Sequence, residues 1–195
     1  MTTKTNVAPT QLFPLVRQLS CRLTPILLKT SITPNQITAL SLLFGLLSAV
    51  SFMLGNYVFN IIGSLLLTIS YTLDNCDGEV ARVKNMSSEF GAKFDDMVDW
   101  MVDASFFAAL GYGTSQVLNQ PFWFWLGCAA ATGAFIDYIV DLFYYARNKQ
   151  KEDSKTREER AIDFKQPANT VDWLIYIFHK LSRADFCIIV LILAL

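Results

Sequence analysis

Charge is what this 195-residue chain has least of: only 17% of its residues are Asp, Glu, Lys or Arg, against about 25% in ordinary soluble domains. Histidine occurs once, at His179, and the four cysteines (Cys21, Cys76, Cys128, Cys187) are widely spaced with no CxxC pair. These scarcities exclude a disulfide framework and a zinc site. The first residues lack the short apolar stretch and small-residue cleavage site of a signal peptide, so spans inside the chain are expected to do the targeting. There is no repeat and no low-complexity tract; the formal net charge of -1 says little, because distribution matters more, and no nucleic-acid partner is expected. One membrane domain over 1–195 is the simplest count. What the chain has in quantity is apolar: 53% hydrophobic residues, 15 Phe and a mean hydropathy of +0.35 point to lipid.

A hydrocarbon core of about 30 Å needs roughly 20 apolar residues of helix. A first span is expected from about Ile37 to Leu54, started by Thr33-Pro34-Asn35, a hydroxyl cap with Pro at the first helical position. Gly55-Asn56 marks a turn. A second span runs from about Tyr57 to Leu73 and carries on into aspartates. A third runs from near Asp95 to Leu118, a fourth from about Phe122 to Ala146, with Asn119-Gln120-Pro121 between them. A last apolar run begins at Phe186 and reaches Leu195. Its ten residues rise only about 15 Å, half a bilayer, so a truncated final span is expected.

Two stretches read as interfacial. Over Gln11–Lys29, within an expected surface helix at 10–30, Leu12, Leu15, Val16, Leu19, Leu23 and Ile26 recur at helical spacing, interrupted by Arg17, Gln18, Arg22 and Lys29. That pattern predicts a basic amphipathic helix on the membrane surface, bounded or kinked by Pro14 and Pro25. Asp172–His179, with Trp173 and Tyr176, reads as a second such helix. All 16 Lys and Arg fall before the first span, between the second and third, or after the fourth. Cytoplasmic loops collect Lys and Arg. The N-terminus, the Asp74–Phe94 segment and a charged loop at 147–183 are therefore expected on the cytoplasmic face of an inner or plasma membrane.

The second and third spans carry the chemistry. Asp74 and Asp77 are three apart and share one helix face; Asp95 and Asp99 are four apart and share another. Orientation puts both pairs at one membrane face, so four carboxylates can converge. Uncompensated, they repel one another and are costly at the edge of hydrocarbon. One or two divalent cations remove that cost, and all-oxygen ligands suit Mg²⁺, Mn²⁺ or Ca²⁺. Gly78 and Gly91 are explained either by close helix contact or by close approach of a ligand. Arg82 has Glu79 and Glu89 nearby as simple charge partners.

The run D-x2-D-G-x2-A-R-x8-G-x3-D-x3-D, from Asp74 through Gly78, Ala81, Arg82 and Gly91 to Asp99, resembles the signature of the CDP-alcohol phosphotransferase (CDP-alcohol phosphatidyltransferase) family, with eight fixed residues met across 26 positions. Thr33-Pro34-Asn35-Gln36-Ile37-Thr38 also looks like that family's first span. The resemblance implies an all-α integral membrane bundle of about six spans, incomplete at the end of this chain, preceded by a surface helix and commonly a homodimer. It implies a metal-dependent enzyme that moves a substituted phosphate from a CDP-linked donor to an alcohol or phospho-alcohol and releases CMP. Carried over by position, Asp74, Asp77, Asp95 and Asp99 would bind Mg²⁺ or Mn²⁺, and Asp99 would also be the base that deprotonates the acceptor. Gly78, Ala81, Arg82, Ser88, Gly91, Pro34, Asn35 and Thr38 would line the nucleotide pocket, with Arg82 on the diphosphate. Arg147 and Arg183 are candidates for gripping a phosphate on the acceptor; snorkelling to the interface explains them equally.

Asp103, Asp137 and Asp141 are further carboxylates within spans, either functional or held by hydrogen bonds between helices. Among donors, CDP-diacylglycerol or a similar lipid stands beside CDP-inositol, which with inositol phosphate would give a soluble phosphodiester. Asn75-Cys76-Asp77-Gly78-Glu79 leans toward the inositol-using subgroup. From another class, aspartates in spans also suit a divalent-cation carrier. Their position at one membrane face, beside Gly and Arg, favours the enzyme.

Overall fold

The computed structural model of the protein describes residues 15–152 together with Val190 and Leu193. Among these, five α-helices follow in order: α1 (Leu15–Leu27), α2 (Pro34–Met53), α3 (Tyr57–Val83), α4 (Glu89–Leu118) and α5 (Pro121–Glu152). The starts obey local chemistry. Thr33 caps α2 in an extended conformation with Pro34 behind it, and its N–H donates to Gln36 Oε1 at 2.9 Å. Asn56 accepts from Phe59 N–H at 3.1 Å to begin α3. Left-handed backbone at Gly55 (φ +64) and Asn119 (φ 51) turns the chain between α2 and α3 and after α4. Pro25 lies within α1, which ends two residues later.

Among the described residues, helices occur where the first four spans were expected, with shifted ends, and α1 covers residues 15–27 of the stretch expected as a surface helix. α5 continues past Ala146 to Glu152, so residues 147–152 are helix where a loop was expected. Helical hydrogen bonding does not stop at the apolar boundary, and Arg, Lys, Gln and Glu are good helix formers. Among the described residues, three segments are long and apolar enough to cross a membrane: Pro34–Met53, Tyr57–Val83 and Pro121–Val140. The expected third span, α4, is not among them. Asp95, Asp96, Asp99 and Asp103, with later Gly, Ser, Thr and Gln residues, lower its apolarity. The expected helix at 172–179, His179, Arg183 and the run from Phe186 lie outside the described residues, apart from Val190 and Leu193. So do the side chains of Asp137, Asp141 and Arg147.

α2 is the spine. The closely packed helix pairs are α2 with α3, α2 with α4, α4 with α5, and α1 with α3; α3 and α4 are not such a pair. Small residues let α2 approach its neighbours. Ser48 Oγ donates to Gly63 O and Ser70 Oγ to Ser41 O, both at 2.7 Å. Such cross-helix bonds replace the hydrophobic drive that lipid does not supply. Phe52 of α2 meets Phe106 of α4 edge-on at 5.1 Å within an apolar core containing Leu67, Val98 and Val102. Gly111 and Gly127 bring α4 and α5 together: a Cβ on Gly111 would stand 2.6 Å from Gly127 Cα.

Gly113 is the tightest contact, since its Cβ would stand 2.1 Å from the backbone oxygen of Phe52. Backbone cannot yield as a side-chain tip can. Gly113→Ala is therefore expected to separate α2 from α4 and cost about 1–3 kcal/mol. Thermal unfolding in detergent checks this; an unchanged midpoint would contradict the close crossing. Gly133, with nothing within 4 Å of its Cβ position, is the control site.

Candidate active site

The carboxylates sit where α3 ends and α4 begins, on either side of the connection at 84–88. Asp74, Asp95 and Asp99 each present an oxygen, and the three oxygens lie within 4.8 Å of one another. Asp74 faces Asp99, and Asp77 faces Asp95. All four expected aspartates are thus brought to one place, from two helices running in opposite directions. Asp77 stands slightly apart from the trio. It is 4% exposed, and its carboxylate accepts a hydrogen bond from Thr38 Oγ1 of α2.

The donor set fits a hard divalent cation. It is made of carboxylate oxygens alone, which suits Mg²⁺, Mn²⁺ or Ca²⁺. Oδ1 of Asp74 and Oδ1 of Asp95 are buried with no hydrogen-bond partner among the described residues. Buried acceptors without donors are costly, and a cation held by these atoms offsets that cost. Asp74, Asp95 and Asp99 are the residues that would hold it, with Asp77 beside them.

The other expected site residues divide into two groups. Gly78 lies beside Arg82 on α3, and Gly91 meets Asn35 and Ser88 where α4 begins. The Arg82 side chain is exposed, and its Nη1 lies 3.3 Å from where a Cβ on Gly78 would stand. A Cβ on Gly91 would stand 3.1 Å from both Asn35 Oδ1 and Ser88 Oγ. Neither glycine meets backbone of another helix, whereas Gly63, Gly111, Gly113 and Gly127 do, and a Cβ on Gly45 would stand 2.5 Å from the Val102 side chain of α4. Ser88 also has a local task, since its Oγ accepts from Gly91 N–H at 3.0 Å and caps α4. Ala81 is half-buried on α3.

Pro34 and Thr38 are buried. Pro34 starts α2, and Thr38 spends its hydroxyl on Asp77 and on Pro34 O at 3.2 Å. Thr38 therefore orients a carboxylate. Thr38→Val, which keeps the shape and removes the donor, is expected to lower divalent-metal affinity about tenfold, the size of a lost outer contact; a Mn²⁺ titration of the purified protein checks it. Arg183 lies outside the described residues, and Arg147 is placed only as a residue of α5.

Three supporting residues were missed or undervalued from sequence. Glu79, readable as a plain surface carboxylate, accepts from Ser20 Oγ at 3.2 Å and Thr24 Oγ1 at 2.6 Å, fastening α1 to α3. The signal was the one-turn spacing of two hydroxyls in α1. Val16 is buried on the same face, whereas Leu19 and Ile26 remain exposed. Lys84 Nζ donates to Thr30 O at 2.9 Å and Ile32 O at 2.8 Å, tying the end of α3 to the α1–α2 connection. Tyr71 donates its hydroxyl to Asp103 Oδ1. Asp103 is thus held between helices.

Residues 31–195 match the profile of the CDP-alcohol phosphatidyltransferase family. A bifunctional IPC transferase and DIPP synthase of Thermococcus kodakarensis is 33% identical over 139 residues, 70% of this chain and 30% of the relative. Its counterpart in Aquifex aeolicus is 42% identical over 127 residues, 65% of this chain and 28% of the relative. An archaetidylinositol phosphate synthase of Pyrococcus horikoshii is 34% identical over 100 residues, 51% of this chain and 52% of the relative. The chain therefore spans about three-tenths of the first two relatives and about half of the third.

Proposed function

The chain belongs to the CDP-alcohol phosphatidyltransferase family, and from that premise we propose that it transfers a substituted phosphate from a CDP-linked donor to an alcohol, releasing CMP. The observation that carries the reading is the convergence of Asp74, Asp95 and Asp99 within 4.8 Å across two helices, with Asp77 alongside. A divalent ion bound there, Mg²⁺ or Mn²⁺, supplies positive charge against the donor diphosphate and makes CMP a better leaving group. Arg82, exposed and lying over Gly78, binds the diphosphate with its planar fork of donors. Gly78 and Gly91 keep the floor of the site free of Cβ atoms, so phosphate and ribose approach the backbone. Asp99, the exposed member of the trio, accepts the proton of the acceptor hydroxyl as that oxygen attacks the phosphorus remote from cytidine. The P–O bond to CMP breaks as the new P–O bond forms. Most of the rate enhancement on this scheme is positioning and charge stabilisation.

The donor we favour is CDP-diacylglycerol or a similar CDP-lipid. Its tails stay in the bilayer while its head reaches the aspartates at the helix ends. The relatives named as an IPC transferase and DIPP synthase and as an archaetidylinositol phosphate synthase, with the Asn75–Glu79 run, make inositol and inositol phosphate the first acceptors to test. On the same reading the bundle has about six spans and forms homodimers, α1 rests at the lipid surface, and the site opens to the cytoplasm. The cation-carrier reading is not favoured: these carboxylates lie at the meeting of helix ends beside Arg82 and Gly78, not along a path through the bundle.

Assay of CMP release by the detergent-purified protein tests the proposal. CDP-diacylglycerol and CDP-inositol are each paired with alcohols and phospho-alcohols, with Mn²⁺ or Mg²⁺ present or chelated. Release that needs both metal and one acceptor is expected. No release from any pair, by folded protein that still binds metal, would overturn it.

A further inference from the structure

The four aspartates are not the whole of the contact between α3 and α4. Asp77 faces Asp95, Asp74 faces Asp99, and three residues further into the bundle Tyr71 donates to Asp103. On α3 the positions step 77, 74, 71; on α4 they step 95, 99, 103. Each set lies on one helix face, so the three pairs form rungs between antiparallel helices. α2 packs closely on both helices, but α3 and α4 are not themselves a closely packed pair. Side chains reaching across therefore govern their separation along this edge.

The rungs differ in sign. Two are carboxylate pairs, whose members repel. The innermost joins a hydroxyl donor to a carboxylate acceptor and is attractive. It is partly buried, and the lower local dielectric there strengthens such a bond and sharpens its geometry. Asp103 also shares a helix face with Asp95 and Asp99 without being one of the three residues whose oxygens converge.

We propose that Tyr71 and Asp103 are a positioning pair: their hydrogen bond sets the spacing and register of α3 against α4 at which Asp74, Asp77, Asp95 and Asp99 converge on a divalent cation. The inference rests on the metal-site reading given above. It assigns Asp103 an outer role, orienting the helix that carries Asp99 rather than touching metal or substrate.

The test is Mn²⁺ binding to the full chain in detergent, read from the magnetic-resonance signal of free Mn²⁺, for wild type, Tyr71→Phe, Asp103→Asn and Asp103→Ala. Tyr71→Phe removes one oxygen, and together with Asp103→Ala is expected to weaken Mn²⁺ about 10- to 100-fold, the usual size for groups that orient metal ligands. Asp103→Asn keeps an oxygen that accepts the phenol proton and is expected to weaken Mn²⁺ far less. Should Asp103→Ala not fold, the other two variants decide. Tyr71→Phe with wild-type Mn²⁺ affinity, even at lowered thermal stability, would overturn the inference while leaving the metal site intact. Asp103→Asn as damaging as Tyr71→Phe would overturn it too, because the charge of Asp103 and not its hydrogen bond would then matter. Wild type that binds no Mn²⁺ would remove the metal-site reading and this inference with it.

Discussion

Asp99→Asn is expected to cut CMP release by about a thousandfold or more at saturating donor, acceptor and Mn²⁺. Two losses combine. The amide cannot take the acceptor proton, and a positioned base is worth about 10²–10⁴ in rate. The amide also carries no charge, so one of the three convergent oxygens becomes a weaker ligand. The side chain keeps its volume, so the helix contacts stay intact and thermal unfolding should not move. Mn²⁺ binding weakens but persists, since Asp74 and Asp95 remain. This pattern of intact fold, retained metal and lost turnover separates a base from a mere ligand. Asp99→Asn that keeps more than about a tenth of the activity would show that another group takes the proton, because removing a working base costs at least ~10²-fold.

The second large effect is at Arg82. Arg82→Ala is expected to lower kcat/KM for the CDP donor about 10²–10³-fold, as loss of a charged donor at a developing phosphate charge does. Arg82→Lys is expected to recover only part of that, because an ammonium gives a point charge where the guanidinium gives a planar fork. The side chain is exposed and lies over Gly78, so neither change disturbs the core. The effect should follow the donor and spare the acceptor: KM for the alcohol is expected to stay near wild type. Steady-state kinetics with each substrate varied in turn reads this directly. An Arg82→Ala enzyme with unchanged donor kinetics would place the diphosphate elsewhere.

Much of the architecture was legible because membranes leave the backbone few options. Without water, a spanning segment must satisfy its own N–H and C=O groups, so long apolar runs read as helices. Thr33-Pro34, Asn56 and Asn119-Gln120-Pro121 marked helix ends within a few residues of where they fall, since capping is local chemistry. The paired spacing of Asp74 with Asp77 and Asp95 with Asp99 announced two carboxylate-bearing helix faces for the same reason: helical period converts spacing into direction.

What sequence alone could not determine is which face meets which neighbour. Thr38 reads equally well as a pocket residue or a support, and only the approach of α2 to α3 assigns it to Asp77. Glu79 has charge partners within one turn, yet its hydroxyl donors come from α1, more than fifty residues away in the chain. The glycines divide by tertiary contact: Gly63, Gly111, Gly113 and Gly127 meet backbone of a neighbouring helix, while Gly78 and Gly91 meet only side chains. The deep rung between Tyr71 and Asp103 joins residues 32 apart, and no local pattern predicts a bond that exists only once two helices lie antiparallel. The sequence by itself determined where helices form among the described residues and which residue types stand at the candidate site. The tertiary structure decided which carboxylates converge and what holds them there, because convergence depends on the separation and register of helices, and those depend on contacts far apart along the chain.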